Sequence, residues 1–160
     1  MGFLVLPIMV VLFFIGLGMQ MDQLAQAVTG AGKAGQMMNA AMVASQRMQT
    51  YGAACLDEAT KNPGTISQNL PLTTLPVGAV IPQGAVCMTT PAAGGARNVY
   101  AFAASKPGEA AQLMTDTQGS EAWYRVPAVG QGVMVATGQT VAIPATVPAG
   151  DLLEWVQITP

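Results

Sequence analysis

One stretch near the start of the chain, residues 3–17, limits the fold more than any other part of the sequence. It reads FLVLPIMVVLFFIGL and contains no charged residue. A transmembrane helix needs about 20 apolar residues, or about 17 where the bilayer thins around it. With Gly18 and Met19 the run just reaches that lower limit, and polar MQMDQLAQ begins at Met19. We therefore predict a transmembrane anchor over residues 1–19.

Two other interpretations of this segment stay open. Gly16-Leu17-Gly18 has the small-x-small pattern of a signal-peptide cleavage site, although no Lys or Arg precedes the apolar run. Gly2-Phe3 is the residue pair that prepilin peptidases cut, but Pro7 stands where type IV pilins carry a glutamate. We favour an uncleaved signal anchor. Because so few residues precede it, we expect its N-terminus inside and the rest of the chain outside the cytoplasm.

Residues 20–62 are predicted to form a long extracytoplasmic helix, since no proline occurs there before Pro63. A stripe of apolar and small residues recurs in steps of three and four, which places it on one helix face. We expect the stripe to pack on the C-terminal domain of the same chain, with a partner helix as the alternative. Its members are Met37, Ala41, Ala44, Met48, Tyr51 and Cys55.

A glycine-rich segment, residues 29–35, interrupts this region. Each internal glycine costs about 1 kcal/mol of helix stability relative to alanine, so the segment can act as a hinge. Alternatively, Ala27, Ala31 and Gly35 form a row of small residues along which another helix can approach closely. The letters also match G-x-G-x-x-G. A dinucleotide site needs a strand before that motif, and here a membrane helix is predicted instead.

Residues 63–160 have short apolar runs broken by Pro and Gly, which predicts a small, mainly antiparallel β domain. A single helix that runs through Ala110 to Met114 is expected, with Ser105 as its N-cap and Pro107 in its first turn. The predicted fold class is therefore α+β. The predicted strands cover residues 75–82, 84–88, 98–102, 122–126, 132–136, 141–144 and 152–158.

The chain has two cysteines, Cys55 at the end of the long helix and Cys87 in an early strand. In an exported domain such a pair is expected to form a disulfide, here one that joins helix to sheet. Closing a loop of about 30 residues is worth roughly 3–4 kcal/mol in the chain-entropy model. Two unpaired buried thiols are the alternative.

The polar residues predict neither an enzyme nor a metal or cofactor site. The chain has no histidine, and its eight acidic residues are scattered. Six Lys+Arg and a net charge of −2 argue against nucleic-acid binding. The remaining candidates are side chains that serve either as core anchors or as contacts to a protein partner. They are Met37, Met48, Tyr51, Trp123 and Trp155.

A membrane helix that continues into a long helix backed by a disulfide-linked β domain resembles the plan of type IV pilins and pseudopilins. In its length, its start MGFLVLPIMVVLFF and its mixed C-terminal region, the chain is similar to the PilM family of type IVB thin-pilus and conjugation systems. This resemblance implies a structural role in pilus assembly and no cofactor. The protein would cross the bacterial inner membrane once and place its C-terminal domain in the periplasm.

The partners that the resemblance implies are the lipid bilayer and other pilus or secretion-system proteins. Further copies of the chain could associate through the N-terminal helix. Two alternatives remain. One is a minor pilin or pseudopilin built into the filament, and the other is a secreted binding module with a cleaved signal.

Overall fold

The computed structural model describes residues 32–159. The predicted anchor at residues 1–19 and the beginning of the predicted helix, residues 20–31, lie outside the described residues. Within residues 32–159 no helix is both long enough and apolar enough to cross a membrane.

The first element, α1, is a helix of 29 residues, Lys33–Lys61. Gly32 directly precedes it and Gly35 lies inside it, so the second half of the glycine-rich segment adopts helical structure. The helix ends where Asn62-Pro63-Gly64 predicts. The Asn62 side-chain amide donates to the Glu58 carbonyl oxygen over 2.9 Å, which satisfies one of the last helical acceptors.

The described residues from Ala40 onward belong to one compact unit, which contains the whole sheet. All neighbouring strands are antiparallel, in the order β1-β2-β6-β3-β4-β5. The strands are β1 Val86–Pro91, β2 Arg97–Ala104, β3 Trp123–Ala128, β4 Gln131–Met134, β5 Thr140–Ala142 and β6 Asp151–Ile158. A short 3₁₀ turn, Ala93–Gly95, joins β1 to β2, and a second helix, α2, spans Glu109–Asp116.

Two of the predicted elements need correction. Residues 75–82 form no strand, because Pro76 and Pro82 interrupt the run and the Ala79 amide donates back to the Pro76 carbonyl oxygen. Ser105 does not cap α2, which begins four residues later at Glu109. The Glu109 carboxylate instead accepts a 2.7 Å hydrogen bond from the Lys106 backbone amide, and this bond fixes the turn before the helix.

The core consists of two clusters, one on each face of the sheet, and alternate residues of β2 belong to each. Val99, Ala101 and Ala103 pack with the residues of α1, whereas Tyr100 and Phe102 belong to a second cluster on the opposite face. That second cluster also contains Ile143 and Val147, from the connection between β5 and β6. Both faces of the sheet are therefore apolar and covered.

The predicted stripe is confirmed over most of its length. Met48, Tyr51 and Cys55 are buried in the cluster between α1 and the sheet, and Ala41 is also buried. Met37 differs, since 55% of its surface is exposed. The α+β class, with a helix packed on a small antiparallel sheet, is confirmed.

A disulfide bond joins Cys55 of α1 to Cys87 of β1, as the sequence predicts, with the two Cα atoms 5.5 Å apart. Both cysteines are fully buried. The bond therefore joins the C-terminal part of the helix to an edge strand of the sheet.

We expect the double variant Cys55→Ser, Cys87→Ser to lower the free energy of unfolding by about 3–4 kcal/mol, because the unfolded chain regains the entropy of the open loop. Urea denaturation of the oxidised protein measures the loss. Reductant should reproduce it in the unchanged protein and have no effect on the double variant. Equal stability of the two oxidised proteins would contradict the prediction.

Candidate docking surface

The five residues predicted from the sequence as possible partner contacts lie in different environments. Met48, Tyr51 and Trp123 are core residues with at most 4% of their surface exposed. Trp155 is half-buried on the opposite face, with its ring centroid 5.7 Å from that of Tyr100. Its indole N–H donates to the Asn98 side-chain oxygen over 3.1 Å. Partner binding by the five residues stays a prediction, and Met37 and Trp155 alone among them leave an appreciable part of the side chain open to solvent.

Residues 75–82, here named the apolar loop, form an exposed surface that was not predicted from the sequence. Val77 is fully exposed, and 56% of Val80 and 54% of Ile81 are exposed. Gly78 has a φ of 83°, which lets the chain turn back after Pro76. No charged residue occurs anywhere between Lys61 and Arg97. The loop therefore presents aliphatic side chains on an uncharged stretch of chain.

Hydrogen bonds hold the chain on both sides of the apolar loop. On one side the Glu58 carboxylate of α1 accepts from the Thr73 backbone amide and hydroxyl over 2.9 and 2.7 Å. The Thr74 hydroxyl also donates to the Ala54 carbonyl oxygen. On the other side the Gln83 carbonyl oxygen accepts from the Ala104 amide at the end of β2. The exposed residues are therefore presented by a segment fixed to both the helix and the sheet.

The same contacts set the ionisation of Glu58. Hydrogen bonds from the Thr73 hydroxyl and amide, joined by one from Asn62, hold the pKa of this carboxyl below its ordinary value of 4.5. The carboxylate that tethers the loop is therefore ionised at neutral pH. The tether weakens only when acid protonates Glu58.

A second carboxyl group lies between α1 and the sheet. Glu154 of β6 faces Gly52, and a Cβ atom at position 52 would overlap its carboxylate. Glycine is thus required at this point of the helix to leave room for the acid. Burial raises the pKa of Glu154 to about 7, since no cation within residues 32–159 lies close enough to compensate the lost hydration.

We expect this acid to make stability depend on pH. The folded-state pKa of about 7 lies above the ordinary value of 4.5, so the folded protein loses stability as pH rises through this window. At about 1.4 kcal/mol per pH unit the loss reaches at most about 3.5 kcal/mol. Glu154→Gln should therefore unfold at higher urea concentration than the unchanged protein at pH 8.

The matched control is Glu121→Gln, which removes an exposed carboxylate from the loop before β3. Urea midpoints at pH 5 and pH 8 are compared for all three proteins. The interval between the two midpoints should shrink in Glu154→Gln and stay unchanged in Glu121→Gln. Equal intervals in the three proteins would show that Glu154 does not titrate in this window.

The described part of the chain, residues 32–159, contains no group of three Cys, Asp or Glu side chains that could hold a metal ion. The apolar loop instead exposes aliphatic side chains, Val77, Val80 and Ile81, which makes it a candidate for contact with another molecule.

Comparison with known proteins gives a likeness of fold. No family model and no curated protein matches the chain. The structure is similar to a crystal structure named for a PilM protein of Escherichia coli B7A, with a TM-score of 0.51 and 18% sequence identity. The likeness covers 76% of this chain and 94% of that chain.

Proposed function

We propose that this protein is a membrane-anchored structural component of a type IV (thin) pilus assembly or conjugation apparatus, and that it works by docking other proteins. The anchor is the apolar run at residues 3–17, and the domain of residues 40–160 acts in the periplasm. A disulfide bond that crosses the core supports this location, because such bonds persist in oxidising compartments.

The observation that carries the proposal is the fold likeness to the PilM-named structure, which extends over 94% of that chain. At 18% identity the likeness is one of fold, so it supports a pilus-related role without indicating a partner. The N-terminal sequence MGFLVLPIMVVLFF supports the same role independently of the fold.

The apolar loop is the surface that we assign to docking. Burying one valine or isoleucine side chain contributes about 1.5–3 kcal/mol, so Val77, Val80 and Ile81 together can supply much of a specific contact. Because the segment is tethered on both sides, little conformational entropy is lost when it binds. Isolated exposed apolar residues are ordinary, but three on one fixed, uncharged segment favour a protein contact.

A minor pilin or pseudopilin is the second candidate. The observation that favours it is α1 itself, a single 29-residue helix whose C-terminal half packs on an antiparallel sheet. In this alternative the protein would be part of the filament and would leave the cell surface with it when pili are sheared.

The intact mass of the unreduced protein extracted from membranes separates these candidates. An anchored, disulfide-bonded component should give the full-length mass less two hydrogens. A mass that begins at Phe3, together with recovery from sheared filaments, would establish a pilin instead. A mass that begins near Met19 would show that the apolar run is a cleaved signal.

We expect Val77→Asp to abolish docking without loss of stability, because the side chain is fully exposed and a buried charge in the complex is costly. A photo-crosslinking amino acid at position 80 should capture a protein of the pilus apparatus in intact cells. Adding Val77→Asp should remove that adduct and stop pilus assembly.

The matched control is Val129→Asp, which places the same charge on an exposed valine in the turn between β3 and β4. It should leave the adduct and the pili unchanged. Normal pilus assembly in Val77→Asp at equal protein abundance would contradict docking through the apolar loop.

A further inference from the structure

A cleft separate from the apolar loop opens at one end of the sheet, where β2 ends and β6 begins. Its volume is about 260 Å³. Ser105 lies on one side, Arg125 on the other, and Gly150 between them, while Pro127 and Val133 add apolar wall. A cavity of this size is below that of a drug-sized ligand site and suits a single small group.

Strand pairing explains why these residues converge. Arg125 of β3 lies opposite Leu152 of β6 and opposite Val133 of β4, so all three share the face of the sheet that carries α1. The Ser105 amide donates to the Gly150 carbonyl oxygen over 3.3 Å, which extends the sheet by one rung. A Cβ atom built on Gly150 would meet nothing within 4 Å. The space above this rung is therefore open.

The Arg125 guanidinium has no partner among residues 32–159. It is exposed, and no carboxylate or carbonyl oxygen of the described chain bonds to it. Arg97 differs, since its guanidinium donates to the carbonyl oxygens of Ala59, Asn62 and Thr65. Arg97 therefore has a structural role within the fold, whereas Arg125 keeps its five donors free.

One acidic residue, Asp151, also borders the cleft. It is the neighbour of Leu152 in β6, so strand alternation directs its side chain to the face opposite Arg125. Asp151 is 8% exposed, and burial raises the pKa of its carboxyl above the ordinary value. The carboxyl of Asp151 and the guanidinium of Arg125 therefore lie on opposite faces of the sheet.

We propose that this cleft binds a carboxylate group joined to a small apolar substituent, with the Arg125 guanidinium and the Ser105 hydroxyl as its donors. A guanidinium presents two parallel N–H groups to a carboxylate. The Ser105 hydroxyl makes a long 3.5 Å hydrogen bond to the Lys106 carbonyl oxygen and would exchange it for the ligand as a third donor. Pro127 and Val133 provide the contact for the apolar substituent. The free C-terminus of a protein and an acidic side chain both have this chemistry.

A carboxylate fits the site better than a phosphate group does. One guanidinium compensates a single negative charge, and a phosphate near neutral pH carries between one and two. The apolar wall also favours a ligand with aliphatic carbon beside the anionic group. The volume of about 260 Å³ suits a carboxylate with a small substituent, and the rest of a larger ligand would lie outside the cleft.

Nuclear magnetic resonance of the full-length protein in mild detergent tests the proposal directly. The probes are N-acetylleucine and N-acetylleucinamide, which share the aliphatic side chain and differ in the carboxylate. N-acetylleucine should shift the backbone amide signals of Ser105, Val133 and Gly150 in a saturable manner. N-acetylleucinamide should bind at least about tenfold more weakly, because it has no negative charge and cannot accept two charge-assisted hydrogen bonds from the guanidinium.

Arg125→Gln should weaken N-acetylleucine binding by about tenfold or more, and Arg125→Lys should recover only part of it because lysine lacks the planar fork. The matched control is Arg47→Gln, an exposed arginine of α1, which should bind as the unchanged protein does. Amide spectra of each variant verify folding. Equal binding of acid and amide, unchanged binding in Arg125→Gln, or no shift at saturating acid would each overturn the proposal.

Two further probes separate the sources of the carboxylate. A peptide that ends in a free leucine carboxylate is compared with its C-terminal amide, and both with an amidated peptide that has an internal glutamate. Binding of the free-carboxylate peptide alone indicates that the natural ligand is a chain terminus. Binding of the amidated peptide with the internal glutamate indicates that it is an acidic side chain. Either result supports the site, and neither depends on the proposed role in pilus assembly.

Discussion

The last two turns of α1 are the part of the molecule on which the rest of the structure depends. Cys55 bonds covalently to β1, and Arg97 of β2 donates to the carbonyl oxygens of Ala59 and Asn62 where the helix ends. A cation at this position also interacts favourably with the negative end of the helix dipole. In the same turns Glu58 holds Thr73 of the following segment. Helix, sheet and apolar loop are therefore positioned by contacts within about two helical turns.

Much of this arrangement could be predicted from the sequence, because it follows from periodicity and from residue chemistry. The steps of three and four from Ala41 to Cys55 identify the buried face of α1, and two cysteines in an exported chain predict their own bond. Most predicted strands lie within one to three residues of the observed ones. Local apolar runs with β-branched and aromatic residues indicate strands whatever their partners are. The order of the strands could not be predicted. The last strand, β6, lies between β2 and β3, and these contacts join residues that are distant in sequence.

The exposed apolar loop was missed for a physical reason. Residues 75–82 have the apolar composition of a strand, and composition does not reveal whether both sides of a segment have neighbours. The signals that could have corrected the prediction were Pro76, Gly78 and Pro82, which remove donors and favour a turn. Glu154 could not be predicted either, because its pKa is raised by burial against α1, and the glycine that leaves room for it, Gly52, lies 102 positions away along the chain.

The two surfaces that carry the proposals adjoin at the end of β2. The Ala104 amide binds the Gln83 carbonyl oxygen beside the apolar loop, and the next residue, Ser105, lines the carboxylate cleft. A partner that covers Ile81 could therefore reach Arg125 with an acidic group, and two linked weak contacts bind far more tightly than either alone. The apolar contact would supply most of the affinity. The ion pair with Arg125 would set the orientation, since a partner bound in a different orientation would leave the guanidinium unpaired. On this proposal, the uncharged apolar loop would gain its specificity from the guanidinium of Arg125 beside it.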